Sequence, residues 1–195
     1  MVMEVYVLNE MKQENVRSVV FTGFFAAVVF LGIQAFRIPM PAAVGTPFLH
    51  FGHIFVVLGV LCLGPKQGMA AVVIGYVLFD ILNGYVHAIP NVVITAVINC
   101  LVTGNLFLVL RQKVNGNKRE LRDAAWCALV YGVLNIVLDF VWSTVELVIA
   151  GSSMAAAAAA VIGSIPATVI NSGFMVIGVA VLYWPVRNVV KRVGG

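Results

Sequence analysis

From residue 80 onward the sequence sets acidic, amide and hydroxyl side chains at helical spacing inside otherwise apolar runs. Asp80, Asn83, Gly84 and His87 stand at offsets 0, 3, 4 and 7, one face of a helix. Asn91, Thr95, Asn99 and Thr103 follow at steps of four. Asn135, Asp139, Trp142, Ser143 and Glu146 fall at offsets 0, 4, 7, 8 and 11, and Ser164, Thr168, Asn171 and Ser172 share a comparable face. Buried carboxylates accept hydrogen bonds from ring nitrogens, amines or hydroxyls, and an indole stacks on a flat ring. Together they suit a pocket for a small molecule that carries a ring nitrogen, amine or hydroxyl donor. The candidate wall is Asp80, Asn83, His87, Asn91, Thr95, Asp139, Trp142, Glu146, Thr168 and Asn171. In it Trp142 stacks on a ring and Asp139 and Glu146 accept hydrogen bonds.

Single Ser, Thr or Asn residues often do no more than bond one membrane helix to another, at about 0.6 kcal/mol each. The weight therefore falls on three carboxylates and a tryptophan at one depth. A proton or cation path competes with this reading, but it needs polar groups along the whole length, and here they thin out toward the opposite end. His50 and His53, three apart, could ligate a transition metal with His87 and Asp80; histidines near a membrane boundary more often only hydrogen-bond, so no metal is assigned. Cys62, Cys100 and Cys127 sit in apolar runs without paired or metal-type spacing and read as small core residues. No Walker loop, nucleophile elbow or zinc-protease motif is present, so the sequence reads as neither an enzyme nor a chain that holds its own cofactor or hydrolyses ATP.

The elements that position these residues follow from composition. Hydrophobic residues make up 62% and charged residues 10% of the 195, with a mean hydropathy of +1.03. Soluble domains hold about 45–50% apolar and about 25% charged residues, so the solvent here is a bilayer. Uncharged apolar runs of about 18 residues or more cross a hydrocarbon layer as helices, and the alternation of a strand barrel is missing. Six membrane helices are expected, near 18–38, 48–63, 67–86, 89–110, 124–150 and 156–184. Pro166 should kink the last and Pro185 end it. Residues 1–17, with Glu4, Glu10, Lys12 and Glu14 and no apolar centre, read as a cytoplasmic segment rather than a signal peptide. Residues 18–185 then form the membrane domain and 186–195 a basic cytoplasmic tail. Asn115-Gly116-Asn117 reads as a turn in the loop before the fifth helix, and the loop of residues 39–47, rich in Pro and Gly, as either a cover for the pocket or a stiff connection. Eleven of the twelve basic residues fall on one side, leaving Arg37 alone on the other. The positive-inside rule puts both termini in the cytoplasm and the polar stripes in the outer half.

Three stretches resemble the S components of energy-coupling factor (ECF) vitamin transporters: Phe21-Thr22-Gly23-Phe24-Phe25-Ala26-Ala27, His50-Phe51-Gly52-His53-Ile54-Phe55 and Leu63-Gly64-Pro65-Lys66-Gln67-Gly68. Phe79-Asp80-Ile81-Leu82-Asn83-Gly84-Tyr85 looks like the end of the family's third helix. The resemblance implies an all-α six-helix bundle in the prokaryotic cytoplasmic membrane. It would capture a small vitamin from outside and work with a transmembrane coupling subunit and two cytoplasmic ATPases, which use the ATP. It also implies a substrate site built from the first outer loop and the outer parts of helices three to six. Gly23 and Ala27 match the family's small-residue pair that docks the coupling subunit, a close backbone approach that only small side chains permit. The family's metal branch needs an N-terminal Met-His, and this chain begins Met-Val. Among the vitamins the sequence leans to the pyridoxine or hydroxymethylpyrimidine type. A stand-alone proton-coupled carrier, titrating Asp139 and Glu146, is the alternative.

Overall fold

Five helices of this chain are long and apolar enough to cross a membrane. The computed structural model describes residues 2–35, 37–40, 47–112 and 117–194, with side chains excepted at 2–14, 117–118 and 194. The long helices are α1 (Val2–Gln34), α3 (Pro65–Asn83), α4 (Ile89–Gln112), α5 (Asn117–Ile149) and α7 (Ile165–Gly194). Between them lie the 12-residue α2 (Gly52–Leu63) and the short α6 (Met154–Ile162). Val19, Phe24, Leu31, Val133, Ile177 and Val181 are all more than half exposed. Apolar surface on that scale is stable only against lipid tails.

Cross-links fix the directions of the helices. Gln67 donates to the Ser18 carbonyl and Asn83 to Gln34, so α1 and α3 run parallel. Arg111 meets Glu120, and Asn99 meets Asn135, so α4 and α5 are antiparallel. Thr168 on Asp139 and Tyr183 on Glu120 do the same for α5 and α7. Gly64, at φ +88°, is the whole link between α2 and α3. Only glycine takes that conformation without strain, and Pro65 at the first helical position starts α3 at once. Where α3 crosses α1, a methyl on Gly75 would come within 2.7 Å of the Ala26 carbonyl oxygen, so the contact depends on a bare backbone. The core is built from Phe25, Val29, Val56, Val57, Leu58, Val72, Tyr131, Met175 and Val179.

Several boundaries differ from expectation. α1 stops at Gln34 rather than 38, because Ile38–Pro39 turns into a strand (β1) paired antiparallel with Phe48–Leu49 (β2). The second segment accordingly becomes helical only at Gly52. Its helix rises about 18 Å at 1.5 Å per residue, short of a hydrocarbon layer of about 30 Å. The sixth segment is two helices: the chain breaks at Gly163 and Ser164, not at Pro166, which sits in the first turn of α7 where its missing N–H has no partner to lose. Pro185 does not end α7, which runs on to Gly194. One lost hydrogen bond there is outweighed by Tyr183 and Arg187, one turn apart and both tied to Glu120. Arg119, Glu120, Arg122 and Asp123, expected in a loop, lie on the first turns of α5. Residues 41–46 of the loop read as a possible cover, and Asn115 and Gly116 of the expected turn, lie outside the described residues.

The end of the bundle that carries both termini is not uniformly apolar. Glu120, 9% exposed, takes Arg187 Nε at 2.5 Å, the Tyr183 hydroxyl at 2.5 Å and Arg111 Nη1 at 3.2 Å on one carboxylate oxygen. The Arg187 guanidinium lies 5.2 Å from the centre of the Trp184 ring. This cluster ties α4, α5 and α7 together opposite the polar stripes.

Candidate functional site

At the other end the helices part around a cavity of about 690 Å³, within the range of roughly 300–1,000 Å³ that small-molecule sites occupy. Each wall follows from helical geometry. α3 contributes Tyr76, Phe79 and Asp80, spaced i, i+3, i+4, and its C-cap Gly84 leads into a 3-10 turn that brings in Tyr85 and His87. α4 contributes Asn91 and Thr95 beside Val92 and Ala96, and α5 the ridge Tyr131, Asn135, Asp139 and Ser143. α7 adds Thr168 and Asn171. The non-helical stretch before α2 brings Phe48 and His50, and α2 itself His53.

Aromatic rings and polar groups both line the cavity. Phe79 stacks near-parallel on Tyr85 with centroids 6.1 Å apart, and Phe48 leans on Phe79 at 6.0 Å. The Arg37 guanidinium sits 5.3 Å from the Phe79 centroid and 5.8 Å from that of Phe48, a cation–π contact to both. His50 and His53 are 4.7 Å apart edge to face, and Tyr131 lies 6.0 Å from His53. Among the polar groups the Thr168 hydroxyl donates to Asp139 Oδ2 at 3.0 Å, and the Thr95 hydroxyl to Asn91 Oδ1 at 3.2 Å. Below the cavity Asn99 Nδ2 donates to Asn135 Oδ1 at 3.2 Å. Asp80, 6% exposed, keeps its Oδ2 buried with no hydrogen-bond partner among the described residues. A buried acceptor left open is costly.

Seven of the ten residues picked from the polar stripes line the cavity: Asp80, His87, Asn91, Thr95, Asp139, Thr168 and Asn171. Asn83, Trp142 and Glu146 do not. Asn83 spends its amide on Gln34 Oε1 and the Phe79 carbonyl, each at 2.9 Å, and so ties α3 to α1. The α5 wall follows a ridge of four-residue steps, which drifts around the helix. Trp142, about 100° back from Ser143, is carried off it. Glu146 is close to the face of Asp139 but about 10 Å farther along the axis, and it is exposed. The aromatic rings that do line the cavity include Phe48, Phe79 and Tyr85 rather than Trp142. Aromatic residues inside apolar runs give no polarity signal, although Tyr76 and Tyr131 stand one turn before Asp80 and Asn135. The small pair Gly23 and Ala27 lies exposed on α1, with open space where a side chain on Gly23 would go.

Comparison with known proteins bears on what this cavity serves. A family model described as ECF-type riboflavin transporter, S component, matches residues 13–188. No curated protein and no solved structure matches the chain. The matched segment takes in every helix that contributes to the cavity, and the sequence stretches singled out above for their likeness to S components lie within it. The chain is a multi-pass membrane protein that belongs to the ECF-type riboflavin transporter S components.

Proposed function

We propose that this chain captures riboflavin in the outer half of the cytoplasmic membrane and delivers it for import. The observation that carries the reading is a cavity lined by aromatic rings together with carboxylates, amides and hydroxyls. A flat tricyclic ring with a polyhydroxyl tail needs both kinds of partner. The Phe48, Phe79 and Tyr85 rings supply stacking area, and Asp80, Asn91, Asp139 and Thr168 supply acceptors and donors for ring edge and tail. The cavity of about 690 Å³ is generous for a single-ring vitamin. Pyridoxine or hydroxymethylpyrimidine is the second reading, favoured by two carboxylates in the wall, either of which would pair with a protonated ring nitrogen or an amino group.

The role is binding and not catalysis. ATP is used by partners: a transmembrane coupling subunit and two cytoplasmic ATPases. Exposed Gly23 and Ala27 on α1 support a docking face for the coupling subunit, and the bias of basic residues to the end that carries the termini supports an N-in, C-in orientation. Titration of the purified chain with riboflavin, pyridoxine and hydroxymethylpyrimidine, read by calorimetry and by quenching of flavin fluorescence, tests the substrate. Riboflavin should bind tightest, and failure to bind it would end the reading. Vesicle uptake tests the mode: import needs ATP and the partner subunits, whereas uptake driven by a proton gradient with this chain alone would favour a stand-alone carrier.

A further inference from the structure

The side chain of Asn171 lines the cavity, yet its polar atoms are turned to the backbone. Its Nδ2 donates to the Phe48 carbonyl at 3.0 Å, and its Oδ1 accepts from the His50 N–H at 3.0 Å. Phe48 and His50 flank Leu49, and in extended chain the carbonyl of one residue and the N–H two residues later face the same edge. A residue of a parallel neighbouring strand bonds those two groups in this way. The amide of Asn171 thus stands in for a third strand. β1 pairs with one edge of β2, through Ile38 against Leu49 and Met40 N–H on the Pro47 carbonyl at 2.8 Å, and a side chain of α7 completes the other. Non-helical backbone at membrane depth must have its polar groups satisfied within the protein. Only a primary amide has both the donor and the acceptor needed here; a carboxylate of the same shape would set an oxygen against the Phe48 carbonyl.

We propose that Asn171 is a positioning residue: it fastens the segment from Pro47 to His50 to α7 and thereby holds the Phe48 and His50 rings in the cavity wall, so that it governs vitamin affinity through that segment. As far as affinity is concerned, the proposal rests on the flavin reading. The latch itself can be tested without any vitamin.

Two measurements on the full-length chain in detergent decide it. The first is hydrogen exchange of the His50 amide in ligand-free protein, followed in peptides covering residues 47–53. Asn171→Asp, close to isosteric, should speed that exchange about tenfold or more, the scale of a lost hydrogen bond and a repelled carbonyl. Unchanged exchange would overturn the latch whatever the vitamin is. The second is riboflavin affinity in a double-mutant cycle. Asn171→Asp should weaken binding about tenfold on its own and no more than about twofold in a Phe48→Ala background, because there the segment no longer presents its ring. Equal losses in both backgrounds would assign Asn171 to the ligand directly and refute action through the strand. If wild-type protein binds no riboflavin at all, the flavin reading falls, and the exchange experiment still decides the latch.

Discussion

Replacing Glu120 with glutamine removes a charge and almost no volume from the end of the bundle opposite the cavity. The carboxylate oxygen there takes Arg187, Tyr183 and Arg111 at once. Arg187 is 7% exposed, so neutralising Glu120 strands a cation that lipid and packed side chains cannot solvate. Breaking one partner out of a buried pair costs about 3–5 kcal/mol. Glutamine keeps an acceptor oxygen for Tyr183 and Arg187, which places the loss near the lower figure. For a chain of this size each kcal/mol moves the midpoint by about 2–4 °C, so the apparent Tm should fall by about 6–12 °C. Arg111, with its side chain 42% exposed, is solvated in part, and Arg111→Ala should cost no more than about 1 kcal/mol. Removing both buried charges, as Glu120→Leu with Arg187→Met, should recover much of the loss, since a buried pair exchanged for apolar groups is often neutral. The assay is thermal unfolding in detergent at one scan rate, with ligand affinity measured alongside. Affinity should change little, because the cluster lies away from the cavity. A Glu120→Gln midpoint within about 2 °C of wild type, or a double variant less stable than the single, would refute the reasoning.

The aromatic wall predicts that Phe79→Ala weakens riboflavin binding by at least about tenfold, through lost ring contact worth about 1.5 kcal/mol or more in a titration. Asp80→Leu removes a carboxylate from the cavity wall, and should weaken binding by a similar factor while the midpoint without ligand holds or rises, because its buried Oδ2 has no hydrogen-bond partner among the described residues. Trp142→Phe should leave affinity within about twofold, and a larger loss in the same titration would mean that the α5 ridge turns differently from the one described here. Gly23→Leu, on an exposed face of α1, should spare vitamin binding and reduce co-purification with the coupling subunit; normal assembly would remove Gly23 from the docking face.

The all-α membrane character and the five long apolar helices were legible in the sequence because hydropathy depends on composition over a long window. Local chemistry was less so. The stripe on α4 could be read because its polar groups step by four, and cavity and ridge share that step. On α5 the same logic selected Trp142 and Glu146, since offsets of 7 and 11 fall within about 20° of Asn135 on a helical projection, but only a real cavity has a depth and an edge. The aromatic wall was invisible for the opposite reason, as Phe48 and Phe79 differ from lipid-facing phenylalanines only in what they touch. The Glu120 cluster escaped notice because Glu120 and Arg187 are 67 positions apart, and the charges before the fifth segment looked like an ordinary loop. Their α-helical first turns are stabilised by tertiary pairing, which no local window contains.

The single glycine between α2 and α3 has a mechanical consequence. The strand leading into α2 brings Phe48 and His50 to one side of the cavity, and α3 brings Tyr76, Phe79 and Asp80 to another. Their shared corner, Gly64, lies at the far end. The angle set at that corner therefore fixes how far apart the two walls stand. With α2 about 18 Å long, a difference of only about 5° in that angle would displace the far ends by roughly 1.5 Å, comparable to the difference between a ring held in contact and one that slips out.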